Sequence, residues 1–243
     1  MIDKLTYILS KKTVTFGELL TVIEQDNSSY RSQMLGKLVT GLTNSLYDGL
    51  YRIIGYDHDR SSNTFDLLTE DCVQQASNGF GSSNRHYDDN GCYARIFAEE
   101  IFYNAFDSTI KEYIKPMDVE YRYSTSTKTR STGTLHTLTN KYGKLLSFNE
   151  VGTTYQLFTY QGNKYKYAGV GSEGTVYEYF NLIGSTLSNI RIKKYNGLAV
   201  DWLLRSRYTN HAFCVGGIYT NGFTDYYNYN NTHNYLAPVI RIG

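Results

Sequence analysis

The chain has 243 residues, 41% of them apolar, with 25 Tyr, 21 Gly, 2 Pro and a formal net charge of +1. That length suits one large domain or a domain with an appendage, and the composition is that of an all-β or α+β protein rather than a disordered one. Near-neutral charge without a basic stripe excludes the electrostatic footprint of a nucleic-acid binder, and no apolar run reaches the roughly 18 residues of a membrane span, so no membrane insertion is expected.

The N-terminus, Met1-Ile2-Asp3-Lys4, lacks the basic-then-apolar pattern of a signal peptide. Thr15-Phe16-Gly17-Glu18 is a capping-box pattern ahead of Leu19, Leu20, Val22 and Ile23. Lys12 to Phe16 also reads as a strand, which competes with that helix. Ser28 or Ser29 could cap a second helix, with Met34, Leu35, Leu38, Val39, Leu42 and Leu46 at helical spacing. Residues 1–48 are therefore expected to be a short, mostly helical segment. Their apolar residues exceed what such a segment can bury on itself, so docking on a partner is expected. Packing on the chain's own domain is the alternative.

Leu50 to Tyr56 reads as a strand, Asp57 to Asn63 as a polar turn and Thr64 to Leu68 as the returning strand. Ser77 to Asn90 reads as a Gly/Ser/Asn-rich loop. Tyr93 to Phe106 is the best helix pattern, with Ile96, Phe97, Ile101, Phe102 and Phe106 as its core stripe. From Met117 onward the pattern is β, and Ser124 to Thr134 is expected to be a long exposed hairpin or loop. Near the end, two apolar runs flank Asn221-Gly222, a hairpin signal. A Tyr/Asn strip and the apolar strand Leu236-Ala237-Pro238-Val239-Ile240 follow.

Asp57-His58-Asp59 and His86-Tyr87-Asp88-Asp89 are the dense carboxylate and His clusters. Either could offer oxygen ligands to Ca²⁺, but neither matches the roughly twelve-residue calcium loop. The EPN and WND triplets of calcium-dependent lectins are absent. Solvated turn residues are the preferred reading, and no metal or cofactor is expected. No GxSxG occurs, and Cys214 sits in an apolar run. Cys72, Cys92 and Cys214 are odd in number and widely spaced, which reads as free thiols rather than a disulfide framework. Gly169 to Gly174 matches GxGxxG only superficially, with no helix pattern after it, and reads as a turn. No catalytic centre is expected.

Trp202-Leu203-Leu204-Arg205-Ser206, a variable Tyr/Asn/Gly stretch and an apolar strand holding Pro238 resemble the C-terminal signature of an uncharacterised phage and bacterial family, where it reads WWLRS, a DG hairpin and GVRPAL. Phe65 to Asp71 resembles its TLLLLSKD strand, Tyr93 to Phe106 its YSNSDIRQWLNSEFLNSAF helix, and Lys144 to Val151 its KVFLLSLEEV segment. That family is similar to the C-type-lectin-like fold of formylglycine-generating enzymes and phage tropism proteins. The resemblance covers roughly residues 49–243, with Leu203 replacing the second Trp and Leu236-Ala237 the usual Val-Arg. It implies an α+β chain: a C-type-lectin-like domain over residues 49–243 with a twisted, mainly antiparallel sheet. Trp202, Leu204, Arg205, Ser206 and Pro238 are then structural motif residues. The cysteine pair of the formylglycine-generating enzymes is not present, so that chemistry is not implied.

The resemblance further implies a bacteriophage virion protein, made in the host cytoplasm: a decoration, collar, fibre or tail component that binds without catalysis. A homo-oligomer is expected, held to other virion proteins through residues 1–48. Tyr219, Asn221, Tyr226, Tyr227, Tyr229 and Asn231 are the candidate contacts for a host-surface glycan or protein, because Tyr gives rigid amphipathic contact area and Asn adaptable hydrogen bonding. The competing reading has these tyrosines paving a hairpin. A purely structural virion protein with no receptor role and a bacterial surface-binding protein are the rival functions.

Overall fold

The computed structural model describes residues 4–76, 87, 91–123, 134–153, 158–160, 163–165, 173–183, 188–207, 214–228 and 232–243. In chain order they form α1 (Lys4–Ser10), β1 (Thr13–Thr15), α2 (Phe16–Ile23), α3 (Ser28–Met34), β2 (Leu38–Thr40), β3 (Tyr51–Tyr56), β4 (Phe65–Thr69) and β5 (Gln74–Gln75). Then come α4 (Tyr93–Ile96), the π-helical turn Phe97–Ile101, α5 (Phe102–Asn104), α6 (Ser108–Lys111), β6 (Ile114–Lys115), β7 (Met117–Tyr123) and β8 (Thr134–Lys141). The remainder is β9 (Phe158–Tyr160), β10 (Asn163–Tyr165), α7 (Glu178–Ile183), β11 (Lys193–Tyr195), β12 (Leu198–Val200), β13 (Trp202–Arg207), β14 (Cys214–Ile218), β15 (Thr224–Asn228), β16 (Tyr235–Leu236) and β17 (Val239–Ile242). The fold is mixed α and β, with short helices and mostly antiparallel sheets.

Among the described residues, two larger sheets carry the structure. One has the order β1-β2-β3-β4-β17-β6 and the other β15-β14-β13-β16-β5. Pairing is antiparallel except at β1 with β2 and β13 with β16. The strand β17 lies between β4 and the edge strand β6, so these residues are paired on both sides within the first sheet. Ile53, Phe65, Leu67, Ile240 and Ile242 from this sheet enter a core shared with Phe97, Phe102 and Phe106 of the helical segment. A second core gathers Ile54, Leu68, Phe148, Tyr177, Leu204 and Ile218 around Trp202.

The competition at Lys12 to Phe16 ends with both elements present. Thr13–Thr15 is a strand, and Thr15 also caps α2 through a complete capping box with Glu18. Each satisfies a donor at the helix start that would otherwise lack a partner. The second expected helix is corrected: α3 stops at Met34, and Leu38–Thr40 is a strand parallel to β1. Gly36 sits at φ +78°, a turn that glycine makes without strain, and reverses the chain. Val39 and Thr40 are β-branched and favour the extended form that follows. Among the described residues, the segment up to residue 48 thus holds two strands as well as three helices. Leu19, Val22, Met34, Val39 and Leu42 are buried in the common core, whereas Leu46 is exposed. The expected boundary at residue 48 falls between β2 and β3, which are hydrogen-bonded neighbours.

The stripe expected for Tyr93 to Phe106 is also corrected. Phe97, Phe102 and Phe106 are buried, but Ile101 is 39% exposed and Ile96 only half-buried. The π-helical turn adds one residue to the repeat, so Phe97 shares its buried face with Phe102 rather than with Ile101. Ala94 and Ala98 fill the buried face instead.

Candidate functional site

A cleft of about 530 Å³ opens between the β7–β8 hairpin and the segments that follow it, lined by Asp59, Asp118, Glu120, Thr137, Glu150, Gly174 and Thr175. Alternation along β7 builds one wall. Met117, Val119 and Tyr121 are buried, which turns Asp118 and Glu120 to the other face. Thr137 of β8 lines the cleft beside them. Asp59 arrives from the turn between β3 and β4, with its backbone in the left-handed region at φ 52°. Glu150 forms the deepest point and is fully buried.

Arg205 organises the floor. Its Nη2 donates to Glu150 Oε1 at 2.9 Å and to the Glu173 carbonyl at 3.2 Å. Nη1 donates to Glu150 Oε2 and to the Leu145 carbonyl, and Nε donates to the Glu120 carbonyl at 2.8 Å. Every guanidinium donor therefore has an acceptor, which is the condition for burying an arginine whole. Glu150 is equally saturated, since it also accepts from Lys144 Nζ at 2.8 Å and from the Ser147 amide at 3.0 Å. Burial would raise the Glu150 carboxyl, but Arg205 and Lys144 outweigh it and hold the group at about 2.

Glu173 meets the opposite balance. It is fully buried, accepts from the Arg122 amide at 2.7 Å and from the Ser206 hydroxyl, and among the described residues no cation is bonded to its carboxylate. Burial raises it to about 7, against the lowering exerted by Arg205, Ser206 and Arg122. Ser206 is fixed in turn by accepting from the Phe148 amide at 3.0 Å. The two buried carboxylates thus hold their protons in different pH ranges although both neighbour the same arginine.

The expected motif residues are brought together. Trp202 is buried and donates Nε1–H to the Arg191 carbonyl at 2.9 Å. Leu204, Arg205 and Ser206 are buried on the same strand, and Pro238 is buried with its carbonyl accepting from the Thr69 amide at 3.2 Å. The expected contact strip fares differently. The Asn221-Gly222 hairpin forms between β14 and β15, and exposed Asn221 accepts from the Phe223 amide through Oδ1 at 3.1 Å. Tyr227 points inward. It is only 7% exposed and packs edge-on against half-buried Tyr219, with ring centroids 5.2 Å apart. Its ring also lies over Gly217. This is the placement that the hairpin-paving reading expects of Tyr227. Tyr229, Asn231 and the side chain of Tyr226 lie outside the described residues.

Asp57 is half-buried and ion-paired, whereas Asp59 is exposed. Asp57 accepts from Arg31 Nε at 2.8 Å, and His58 between them is buried against Tyr177, with centroids 3.8 Å apart. Among the described residues no group of His, Cys, Asp and Glu is arranged to hold a metal ion. His86, Asp88, Asp89 and the Cys214 side chain lie outside them. Cys72 and Cys92 are buried, and burial pushes the Cys72 thiol up to about 12. Among the described residues no helix is long and apolar enough to cross a membrane. Sequence reasoning missed Asp118, Glu120, Thr137, Glu150 and Thr175 of the lining, and Lys144 and Glu173 beside it. Lys144 and Glu150 lie inside the segment that resembles KVFLLSLEEV, the one available signal.

The profile of a domain of unknown function, DUF6273, matches residues 62–242. The chain belongs to the DUF6273 family. The match spans the cleft lining except Asp59, together with the Trp202–Ser206 strand and β17. Strands β1 to β3 precede the matched DUF6273 range but complete its sheet. No curated protein and no solved structure matches the chain.

Proposed function

We propose that this DUF6273 chain is a C-type-lectin-like binding module of a bacteriophage virion, and that its cleft takes a hydroxyl-rich ligand such as a surface glycan. The observation that carries the binding reading is the cleft's chemistry. Its walls offer carboxylate oxygens, threonine hydroxyls and the backbone at Gly174, while its deepest carboxylate is saturated by Arg205 and Lys144. Such a surface accepts hydrogen bonds from a polyol and leaves the ion pairs behind it undisturbed. The virion and lectin-like parts of the proposal rest on the resemblance carried by Trp202 to Ser206 and Pro238. Buried Trp202 and the fully bonded Arg205 suit structural roles for those residues.

The test is calorimetric titration of the full chain with a panel of bacterial surface polysaccharides, beside Glu120→Gln and Thr137→Val. Saturable binding that weakens several-fold in both variants supports the cleft. Binding that both variants retain, or no binding across the panel, overturns it.

A second reading, a structural virion protein without a receptor role, is favoured by two exposed apolar side chains at hairpin turns. Leu198 is 73% exposed beside Asn196-Gly197, and Phe223 is 55% exposed beside Asn221-Gly222. In that reading they contact neighbouring subunits, including further copies of this chain. Contacts with virion proteins through residues 1–48 would use exposed positions such as Tyr7 and Leu46.

A further inference from the structure

His58 is buried behind the turn that places Asp59 in the cleft wall, and each of its ring nitrogens faces a carboxylate. Nδ1 lies 3.4 Å from Glu178 Oε1, and Nε2 lies 3.4 Å from Asp59 Oδ1. Nε2 is buried and has no hydrogen-bond partner among the described residues, so charge rather than a formed bond links it to Asp59. A neutral imidazole carries one N–H and one lone pair. One carboxylate would then face a lone pair. Only the imidazolium presents a donor to both.

The turn needs such a hold. Asp57 and Asp59 both sit at positive φ, 48° and 52°, a region that residues other than glycine seldom adopt. Asp57 is fixed by bonds to Arg31 and to the Thr64 amide. Asp59 is held more loosely: His58 at 3.4 Å, Lys144 at 3.7 Å and Arg241 at 4.0 Å. Lys144 is engaged more closely by Glu150, and Arg241 by Asp66. Of the three cations, histidine is the one whose charge changes in the physiological pH range.

We propose that His58 is a proton-operated catch for the cleft: as the imidazolium it keeps Asp59 in the wall, and on losing its proton it releases the turn. This rests on the reading of the cleft as the ligand site. The charged and titratable groups around the ring are Asp59 on its own turn, Glu178 and Tyr177 at the start of α7, Asp66 on β4, Lys144 after β8 and Arg241 on β17. Tyr177 and Arg241 are both bonded to Asp66. Burial opposes the proton on His58, but Glu178, Asp59 and Asp66 outweigh burial and Lys144, and the ring titrates above its usual range. The catch is therefore set on the acid side of this raised titration and opens as pH rises through it.

The experiment is amide hydrogen exchange on the full chain as a function of pH, corrected for intrinsic rates, with the His58 ring titration followed by NMR. The reporters are the amides of Asp57, Ser61 and Thr64, whose bonds close the turn. Their protection should fall several-fold as His58 loses its proton. His58→Gln should abolish that step. Glu178→Gln, at a half-exposed position, should move it to lower pH by removing one facing carboxylate. Protection that stays constant while His58 titrates, or a step unchanged in both variants, overturns the catch. No ligand enters this measurement. A clear exchange step with no polysaccharide bound at any pH would leave the catch standing and sink the cleft's assignment instead.

Discussion

Arg205 and Glu150 meet as a fully buried bidentate pair, 55 residues apart in sequence, with Nη2 donating to Oε1 at 2.9 Å. The pair joins β13 to the segment below the cleft. Removing one member would leave an uncompensated charge in the interior, which costs about 3–5 kcal/mol. Arg205→Met should therefore destabilise strongly, because Lys144 alone must then neutralise Glu150. Adding Glu150→Gln to that variant should recover part of the loss. Urea unfolding of the single and double variants checks both expectations, and a double variant less stable than the single one would contradict them.

Glu173 makes stability depend on pH. Its carboxyl is raised by burial from an unfolded value near 4.5 to about 7 when folded. The folded state therefore binds this proton more tightly than the unfolded state. The resulting stability is fully present below about 4.5 and is lost as pH rises through about 7. Glu173→Gln should remove that slope, because the amide mimics the protonated acid. Melting temperatures of both proteins between those limits provide the comparison, and parallel curves would refute the assignment.

How much of this was legible in the sequence depends on how local each cause is. The capping box at Thr15 and Glu18 and the Asn221-Gly222 hairpin are short-range patterns, and both are present. The buried Trp202 and Arg205 were readable from the resemblance. Helical periodicity over Met34 to Leu46 misled, because three residues paired with β1 override the helical preference of an isolated segment. The π-helical turn rotated Ile101 outward, a register change that spacing alone does not encode. The carboxylates at Glu150 and Glu173 were missed because their partners on β13 lie 55 and 33 residues away. Pairing at such separations leaves no periodic trace.

Residues 1–45 should be needed for folding. They provide β1 and β2 to the main sheet and Val14, Leu19, Val22, Met34 and Val39 to its core. Their removal would strip β3 of a hydrogen-bonded neighbour and expose the apolar surface they cover. Deletion of residues 1–45 should give an insoluble or unfolded product by circular dichroism. A folded remainder would show instead that this segment is a separable docking unit.

Gly217 offers the last test, because it separates packing from recognition at the C-terminal hairpin. A Cβ built there would lie 2.4 Å from Tyr227 Cε2 and 2.9 Å from the Trp202 carbonyl oxygen. The buried ring is the nearer obstacle, and the carbonyl belongs to the backbone of the neighbouring strand. Gly217→Ala should therefore destabilise the fold by about 1–3 kcal/mol, the usual cost of overpacking. Tyr227→Ala removes the ring that covers Gly217 and should cost about 3 kcal/mol through the cavity left behind. Because Tyr227 is buried, its effect on ligand binding should come only through this loss of stability. Gly217→Ala/Tyr227→Ala should be more stable than the sum of the two losses, since the smaller side chain makes room for the new methyl group. Additive losses would mean that the Trp202 carbonyl, rather than the tyrosine ring, sets the limit at this crossing.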